Sequence, residues 1–166
     1  MIIEYKIAEE QDLEEIYSLV KRAIDTMCSQ GVFQWDEIYP DREVLADDIR
    51  KAQMFLGRVD GQLVVIYVLN QECDEEYSKG EWINKDRSFG VVHRLCVDPS
   101  FQHMGIGKFT MQHIEETLRK SGVGSVRLDA FTENPQAIRL YESLGYSRTG
   151  YANWRKGTFY LMEKCL

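Results

Sequence analysis

The stretch Val97-Asp98-Pro99-Ser100-Phe101-Gln102-His103-Met104-Gly105-Ile106-Gly107-Lys108 constrains this chain most, because three local instructions meet in it. Ahead of it, Gly90 to Val97 is rich in valine and leucine and stops at Asp98-Pro99. A proline there lacks the N–H needed to continue an interior ladder. Beyond it, Ile106, Thr110, Ile114 and Leu118 recur at helical spacing, with Glu115, Glu116, Arg119 and Lys120 on the other side. That pattern predicts an amphipathic helix. Gly105 and Gly107 therefore sit where a strand, through a tight turn, becomes a helix. Without a Cβ at either position the main chain can approach a ligand closely, and the unpaired N–H groups of the first turn point at it. Such a turn is an anion site, most simply a phosphate site; the alternative is two glycines that only tighten the turn.

Two well-known phosphate loops do not fit these letters. A Walker-type loop needs Ser or Thr after Gly-Lys, whereas Gly107-Lys108 is followed by Phe109. A dinucleotide fingerprint needs a third small residue where Thr110 stands. The order strand, Gln102-x-x-Gly105-x-Gly107, helix instead resembles the pyrophosphate motif of the GNAT superfamily of N-acetyltransferases. A second stretch, Asn134-Pro135-Gln136-Ala137-Ile138-Arg139-Leu140-Tyr141-Glu142-Ser143-Leu144-Gly145-Tyr146, reads as a complete helix with Asn134 as N-cap and Gly145 closing the end. It resembles the second coenzyme-A motif of the same superfamily, in the same order along the chain. The resemblance is specific from about Val91 to Tyr146.

The resemblance implies a single α/β domain over residues 1–166, with a mixed, mostly antiparallel sheet of about seven strands flanked by about four helices. It implies acetyl-CoA as acetyl donor, no metal, and transfer to a primary amine of a small molecule or peptide. Coenzyme contacts are then expected at Leu95, Cys96 and Val97 for the pantetheine arm and the oxyanion. Gln102, His103, Met104, Gly105, Ile106, Gly107 and Lys108 are expected at the pyrophosphate, and Asn134, Ala137 and Tyr141 on the second motif. A rival reading from another class is a module that senses acyl-CoA without turnover, against which the presence of Tyr141 argues.

With 44% hydrophobic and 28% charged residues the chain reads as one soluble globular domain. Its start, Met1-Ile2-Ile3-Glu4, lacks a basic region followed by an apolar one, so a cytoplasmic location is expected. Cys28, Cys73, Cys96 and Cys165 are scattered, without metal or redox spacing, and read as reduced thiols. A net charge of −7 without a Lys/Arg cluster argues against a nucleic-acid surface, including the tRNA of an acetylating toxin. It favours a cationic acceptor. No membrane partner is expected, and a homodimer is left open.

Along the chain, Ile2 to Ile7 predicts a strand, and Asp12 an N-cap for a helix that buries Ile16, Leu19, Val20, Ala23, Ile24 and Met27. Gly31 to Pro40 holds three aromatics and two acids; Trp35 and Tyr39 either wall an acceptor pocket, with Asp36 or Glu37 meeting an ammonium, or staple the loop to the core. A second helix starts at Asp41 or Asp47. Met54–Val59 and Gln62–Leu69 form a hairpin across Asp60-Gly61. Glu72 to Phe89 reads as a long mobile connection whose Trp82 either closes over a substrate or packs the loop down. Ser125–Phe131 is a strand, and Ser147–Trp154 with Gly157–Glu163 a closing antiparallel pair.

Acyl transfer to an amine needs neutral nitrogen, yet an alkyl ammonium with pKa ~10.4 is neutral only to roughly one part in a thousand at pH 7. On the strand Gly90–Val97 the one side chain with a useful pKa is His93, as base or as a structural histidine. No carboxylate stands there, so Glu81 on the connection is the alternative acid. Tyr141 is the expected general acid for the departing thiolate, being four residues from small Ala137 and so on the same helix face; the alternative is a core aromatic.

Overall fold

The computed structural model describes residues 1–166. Its elements run β1 (Glu4–Ile7), α1 (Leu13–Ser29), α2 (Arg42–Arg50), β2 (Met54–Val59), β3 (Gln62–Asn70), β4 (Phe89–Val97), α3 (Ile106–Lys120), β5 (Ser125–Phe131), α4 (Pro135–Ser143), β6 (Ser147–Trp154) and β7 (Gly157–Cys165). The seven strands form one open sheet in the order β1-β2-β3-β4-β5-β7-β6, mostly antiparallel, with β4 and β5 parallel. The expected α/β class, strand number and four helices are all present. No helix is long and apolar enough to cross a membrane. Residues 1–69 and 94–110 form one compact unit, and residues 70–93 and 111–166 a second.

In the first unit the apolar spacing of α1 puts Ile16, Leu19, Val20 and Ala23 on one buried face. Asp41, not Asp47, starts α2: its carboxylate accepts from Val44 N at 2.9 Å, and Leu45 and Ile49 turn inward. These helices share a core with Met54, Leu56, Leu63, Ile66, Val68 and Cys96. Each such aliphatic side chain, fully buried, contributes about 1.5–3 kcal/mol. On the opposite face of the strands, Val64, Val65 and Ile106 pack with Leu95 and Val97. Asp12 makes no side-chain cap on α1. It sits buried against Lys6 and Arg58 and accepts from Glu9 N.

In the second unit β5 pairs with β7 along its whole length, Ser125↔Cys165 to Phe131↔Phe159, and β6 closes the edge. The connection from β3 to β4, expected to be mobile, is tied down by a buried ion pair. Glu163 is fully buried on β7; its carboxylate accepts from Ile83 N at 2.6 Å and faces Arg127 Nε at 3.4 Å. Arg127 also donates to Asn84 O at 2.6 Å, and its guanidinium lies 4.5 Å from the Trp82 ring and 4.0 Å from Phe89. Glu81 N donates to Thr149 O at 2.6 Å beside a β-bulge in β6. Gly150 of that bulge is glycine for a reason: a Cβ would stand 3.3 Å from Gly80 Cα and from Lys79 O. Polar letters were a poor guide because the charged side chains of this stretch do face water, while its backbone N–H groups at Ile83 and Asn84 are held by the buried carboxylate of β7.

Removing one partner of a buried pair leaves the other uncompensated. Glu163→Gln is expected to lower unfolding free energy by about 3–5 kcal/mol, the range for such a loss. Urea unfolding measures it, together with faster amide exchange at Ile83.

Candidate functional site

The first unit builds the glycine turn on a capped corner. Asp98 donates its N–H to Val64 O at 2.9 Å, accepts from Ser100 N at 2.9 Å, and takes Arg22 Nη2 at 2.5 Å. Burial works to raise Asp98, but Arg22 and the Ser100 N–H outweigh it and hold the carboxyl below its usual range. The chain then bends through left-handed residues, His103 (φ 64°) and Gly105 (φ 80°). Gly105 O accepts the first helical bond from Phe109 N at 3.0 Å, making Gly105 the N-cap. By helix geometry Ile106, Gly107 and Lys108 have no carbonyl four residues back to donate to, and left-handed bends of this kind gather N–H groups around an anion-binding concavity. The residues fit a pyrophosphate in this respect. His103, Met104, Gly105 and Lys108 are exposed, Gln102 and Gly107 half-buried. Ile106 differs: its side chain is core, so its offer to a ligand is its N–H alone.

On β4, Leu95 and Val97 pack toward Ile106, while Cys96 points the other way into the α1/α2 core. Burial pushes the Cys96 thiol up to about 12, which makes it inert. Arg94 is a non-glycine residue with φ 50° in the middle of this strand. Its guanidinium grips Asp48 of α2 in two bonds, 2.8 and 2.5 Å, and donates to Tyr39 Oη at 2.6 Å. Burial pushes Asp48 up, and the guanidinium opposite is what holds it ionised.

The loop ahead of α2 is arranged otherwise than its letters suggest. Of the two readings of Trp35, pocket wall or staple to the core, its packing matches the staple: it is 8% exposed and lies in the α1/α2 core. Asp36, a candidate for an ammonium, accepts from Ile38 N at 3.0 Å and Tyr39 N at 3.1 Å and so shapes its own turn. The large apolar side chains this loop exposes are Phe33, Ile38 and Tyr39, and Glu37 is exposed with them. Of the expected pair only Tyr39 is on the surface, and Phe33 and Ile38 join it.

In the second unit the β4–β5 ladder ends at Val91↔Arg127, although β5 runs on to Phe131. Side chains alternate along strands, so His93 and Asp129, two residues further on each, share the face of Val91 and Arg127. His93 Nε2 is 2.8 Å from Asn70 Oδ1, an atom that also accepts from Glu72 N at 2.9 Å. That second bond identifies it as the amide oxygen, so Nε2 carries the ring proton and Nδ1 the lone pair of neutral His93. Asp129, half-buried, accepts from Tyr77 Oη at 2.7 Å. Sequence reasoning missed it by searching β4 alone; the signal was an acid inside the apolar run Ser125–Phe131.

Tyr141 is 8% exposed, its ring edge-on to Tyr146 at 5.9 Å. Burial first, and the Asp129 charge second, push its phenol well above the ordinary tyrosine range. Asn134 Oδ1 caps α4 by accepting from Ala137 N at 3.1 Å, with Pro135 in the first turn as expected. Trp82 donates Nε1–H to Tyr77 O at 2.8 Å and lies 5.5 Å from its ring, so it packs the connection down instead of closing over a substrate.

The Acetyltransferase (GNAT) family model matches residues 11–146. The S-(2-succino)cysteine N-acetyltransferase of Bacillus subtilis (strain 168) is 26% identical over 166 residues, 96% of this chain and 94% of that one. The [ribosomal protein bS18]-alanine N-acetyltransferase of Escherichia coli (strain K12) is 40% identical over 57 residues, 34% of this chain and 38% of its own. Among solved structures, a GNAT-family acetyltransferase from Streptococcus agalactiae superposes with TM-score 0.87 at 20% identity, covering 99% of this chain and 95% of that one. The PaiA N-acetyltransferase of Thermoplasma acidophilum in complex with coenzyme A superposes with TM-score 0.73 at 19% identity over the full length of both chains.

A buried tryptophan cut to alanine costs about 3–5 kcal/mol. Trp35→Ala is therefore expected to lower the melting temperature and to move acceptor KM and acetyl-CoA KM together. Thermal unfolding with both KM values checks it; a selective rise in acceptor KM at unchanged stability would return Trp35 to the pocket wall.

Proposed function

The chain belongs to the acetyltransferase (GNAT) family, an acetyl-CoA-dependent N-acetyltransferase, and from that premise we propose that it acetylates the primary amine of a small molecule of amino-acid size by direct attack. The likeness to the S-(2-succino)cysteine enzyme supports a small acceptor because it spans 96% of the chain. The likeness to the bS18-alanine enzyme, which would favour a peptide, spans 34%.

The observation that carries the mechanism is the end of the β4–β5 ladder at Val91↔Arg127 with His93 and Asp129 just beyond it. In the proposed sequence the acceptor ammonium gives a proton to Asp129, directly or through water, with His93 Nδ1 as the second lone pair on that face. The neutral nitrogen then forms the N–C bond at the thioester carbonyl. On collapse the C–S bond breaks, Tyr141 gives its phenolic proton to the thiolate, and the second proton of the attacking nitrogen passes through water to the phenolate, which leaves a neutral amide and restores Tyr141. Main-chain N–H groups of Leu95 to Val97 serve the oxyanion. The loop Gln102–Lys108 holds the pyrophosphate, and Asn134 and Ala137 flank the pantetheine arm.

Asp129 and Tyr141 work on each other. A thiol near ~8.5 is a stronger acid than a phenol near ~10, so raising Tyr141 opposes its donation. Part of that rise comes from the Asp129 charge. Once Asp129 has taken the amine proton the charge is gone, and Tyr141 becomes a better acid just before the thiolate leaves.

Tyr141→Phe removes only the hydroxyl, and kcat is expected to fall about 10²-fold or more with coenzyme affinity little changed. Wild-type kcat in the folded variant, where chemistry limits turnover, would leave water as the proton source. Asp129→Asn is expected to lower kcat by about 10²–10⁴-fold, the range for a lost acid or base. It should also shift the alkaline limb of the remaining activity to lower pH. The sign follows from the charge: Tyr141 must be protonated to act, its raised pKa places that limb above the usual tyrosine value, and removing a raising charge brings it down. The pH profiles of both variants decide. A thiol-release assay over amino acids, cysteine adducts, polyamines, aminoglycosides and peptides tests the acceptor class, and coenzyme binding without release from any of them would favour the sensor reading.

A further inference from the structure

We infer that the exposed ring of Phe109 is the stacking platform for the purine base of the coenzyme. The inference rests on the assignment of the glycine loop to a pyrophosphate. Phe109 is 50% exposed on the first turn of α3, and Met104 beside it in the loop is 51% exposed. Two large apolar side chains standing in water at one corner need a reason when Ile106, between them in sequence, is 1% exposed. The Phe109 ring is not loose. A Cβ built on Gly105 would stand 3.1 Å from Phe109 Cε2, 3.6 Å from Cδ2 and 3.8 Å from Cζ, so one edge of the ring rests in the space that Gly105 leaves open. Gly105 thereby does two things: it takes the left-handed bend that caps α3, and it seats the aromatic ring.

The position suits the ligand. Phe109 is four residues from Gly105 and therefore on the same helix face, one turn of about 5.4 Å from the N–H groups at the helix start. That distance is comparable with the span of the ribose between a pyrophosphate and its base. A purine has two flat π-faces and binds aromatic rings by stacking, worth about 1–3 kcal/mol per base. A ring fixed by its edge loses little further freedom on binding, so most of that interaction is realised.

The test compares coenzyme A with 4′-phosphopantetheine, which lacks the nucleotide, by calorimetry on the wild type, Phe109→Ala, Phe109→Leu and Phe109→Trp. Wild type is expected to prefer coenzyme A. In Phe109→Ala the preference should fall about tenfold, the equivalent of roughly 1.4 kcal/mol. Phe109→Leu, apolar but without a π-face, should lose most of it too, and Phe109→Trp should keep it. An undiminished preference in folded Phe109→Ala and Phe109→Leu overturns the platform. A wild type that binds coenzyme A no better than 4′-phosphopantetheine overturns it as well, while one that binds neither overturns the pyrophosphate assignment itself. Kinetics with acetyl-CoA give the second readout: the variants' loss should appear in the acetyl-CoA KM and not in kcat.

Discussion

The first unit depends on one fixed irregularity, a left-handed residue in mid-strand at Arg94. A left-handed conformation at a residue bearing a Cβ costs about 1–3 kcal/mol and persists only where its surroundings over-determine it. Arg94 has φ 50°, and its guanidinium is fixed by both carboxylate oxygens of Asp48 and by Tyr39. Asp48 is in turn fixed by α2, whose Leu45 and Ile49 are locked in the core. The irregularity in β4 is thus anchored to a helix. Immediately before it stands His93, the last residue of β4 in the second unit, two places past the end of the parallel ladder.

In the second unit, charge placement is what supports the proposed chemistry. Two carboxylates there, Glu163 fully buried and Asp129 half-buried, are placed differently. Glu163 faces Arg127 and accepts from Ile83 N, and it is spent on fastening a connection. Asp129 is half-buried, takes one hydroxyl hydrogen bond from Tyr77, and still raises the phenol of Tyr141. Only two positions separate Arg127 from Asp129 on β5, so one strand carries both the charge that fastens the connection and the acid we propose as the base.

How much of this was legible in the letters depends on the range of the interaction concerned. Local signals read well: Asn134 capping α4, Asp60-Gly61 turning the hairpin with both residues left-handed, and Gly105 beginning α3. Each involves a bond or conformation within four residues. The failures were at long range. Trp35 read equally as a pocket wall or as a staple to the core, because its neighbours Phe33, Gln34 and Asp36 are polar or exposed and do not choose between the two; the α1/α2 core takes it in. The stretch Glu72 to Phe89 read as mobile because the carboxylate that fastens it, Glu163, lies about half the chain away in sequence. Asp129 went unseen because the search for a base followed the central strand, and only the end of the ladder shows that the neighbouring strand matters.

The glycine turn that we assign to the pyrophosphate shows why such a site can be read locally yet depend on the whole first unit. Ile106 supplies an N–H at the helix start, but its side chain is buried with Val64 and Val65. Asp98, a few residues earlier, joins Val64 through its N–H and Arg22 of α1 through its carboxylate. The backbone of the turn is therefore held at both ends by β3, and at Asp98 by α1 as well. Between those anchors, His103 and Gly105 take the left-handed bends and nothing heavier than glycine stands under the Phe109 ring. A ligand approaching this corner meets donors that need no rearrangement, because the packing that fixes them was completed when the core closed. Preorganisation of this kind converts core stability into binding, and it explains why the most exposed residues of the turn belong to one of its most firmly anchored segments.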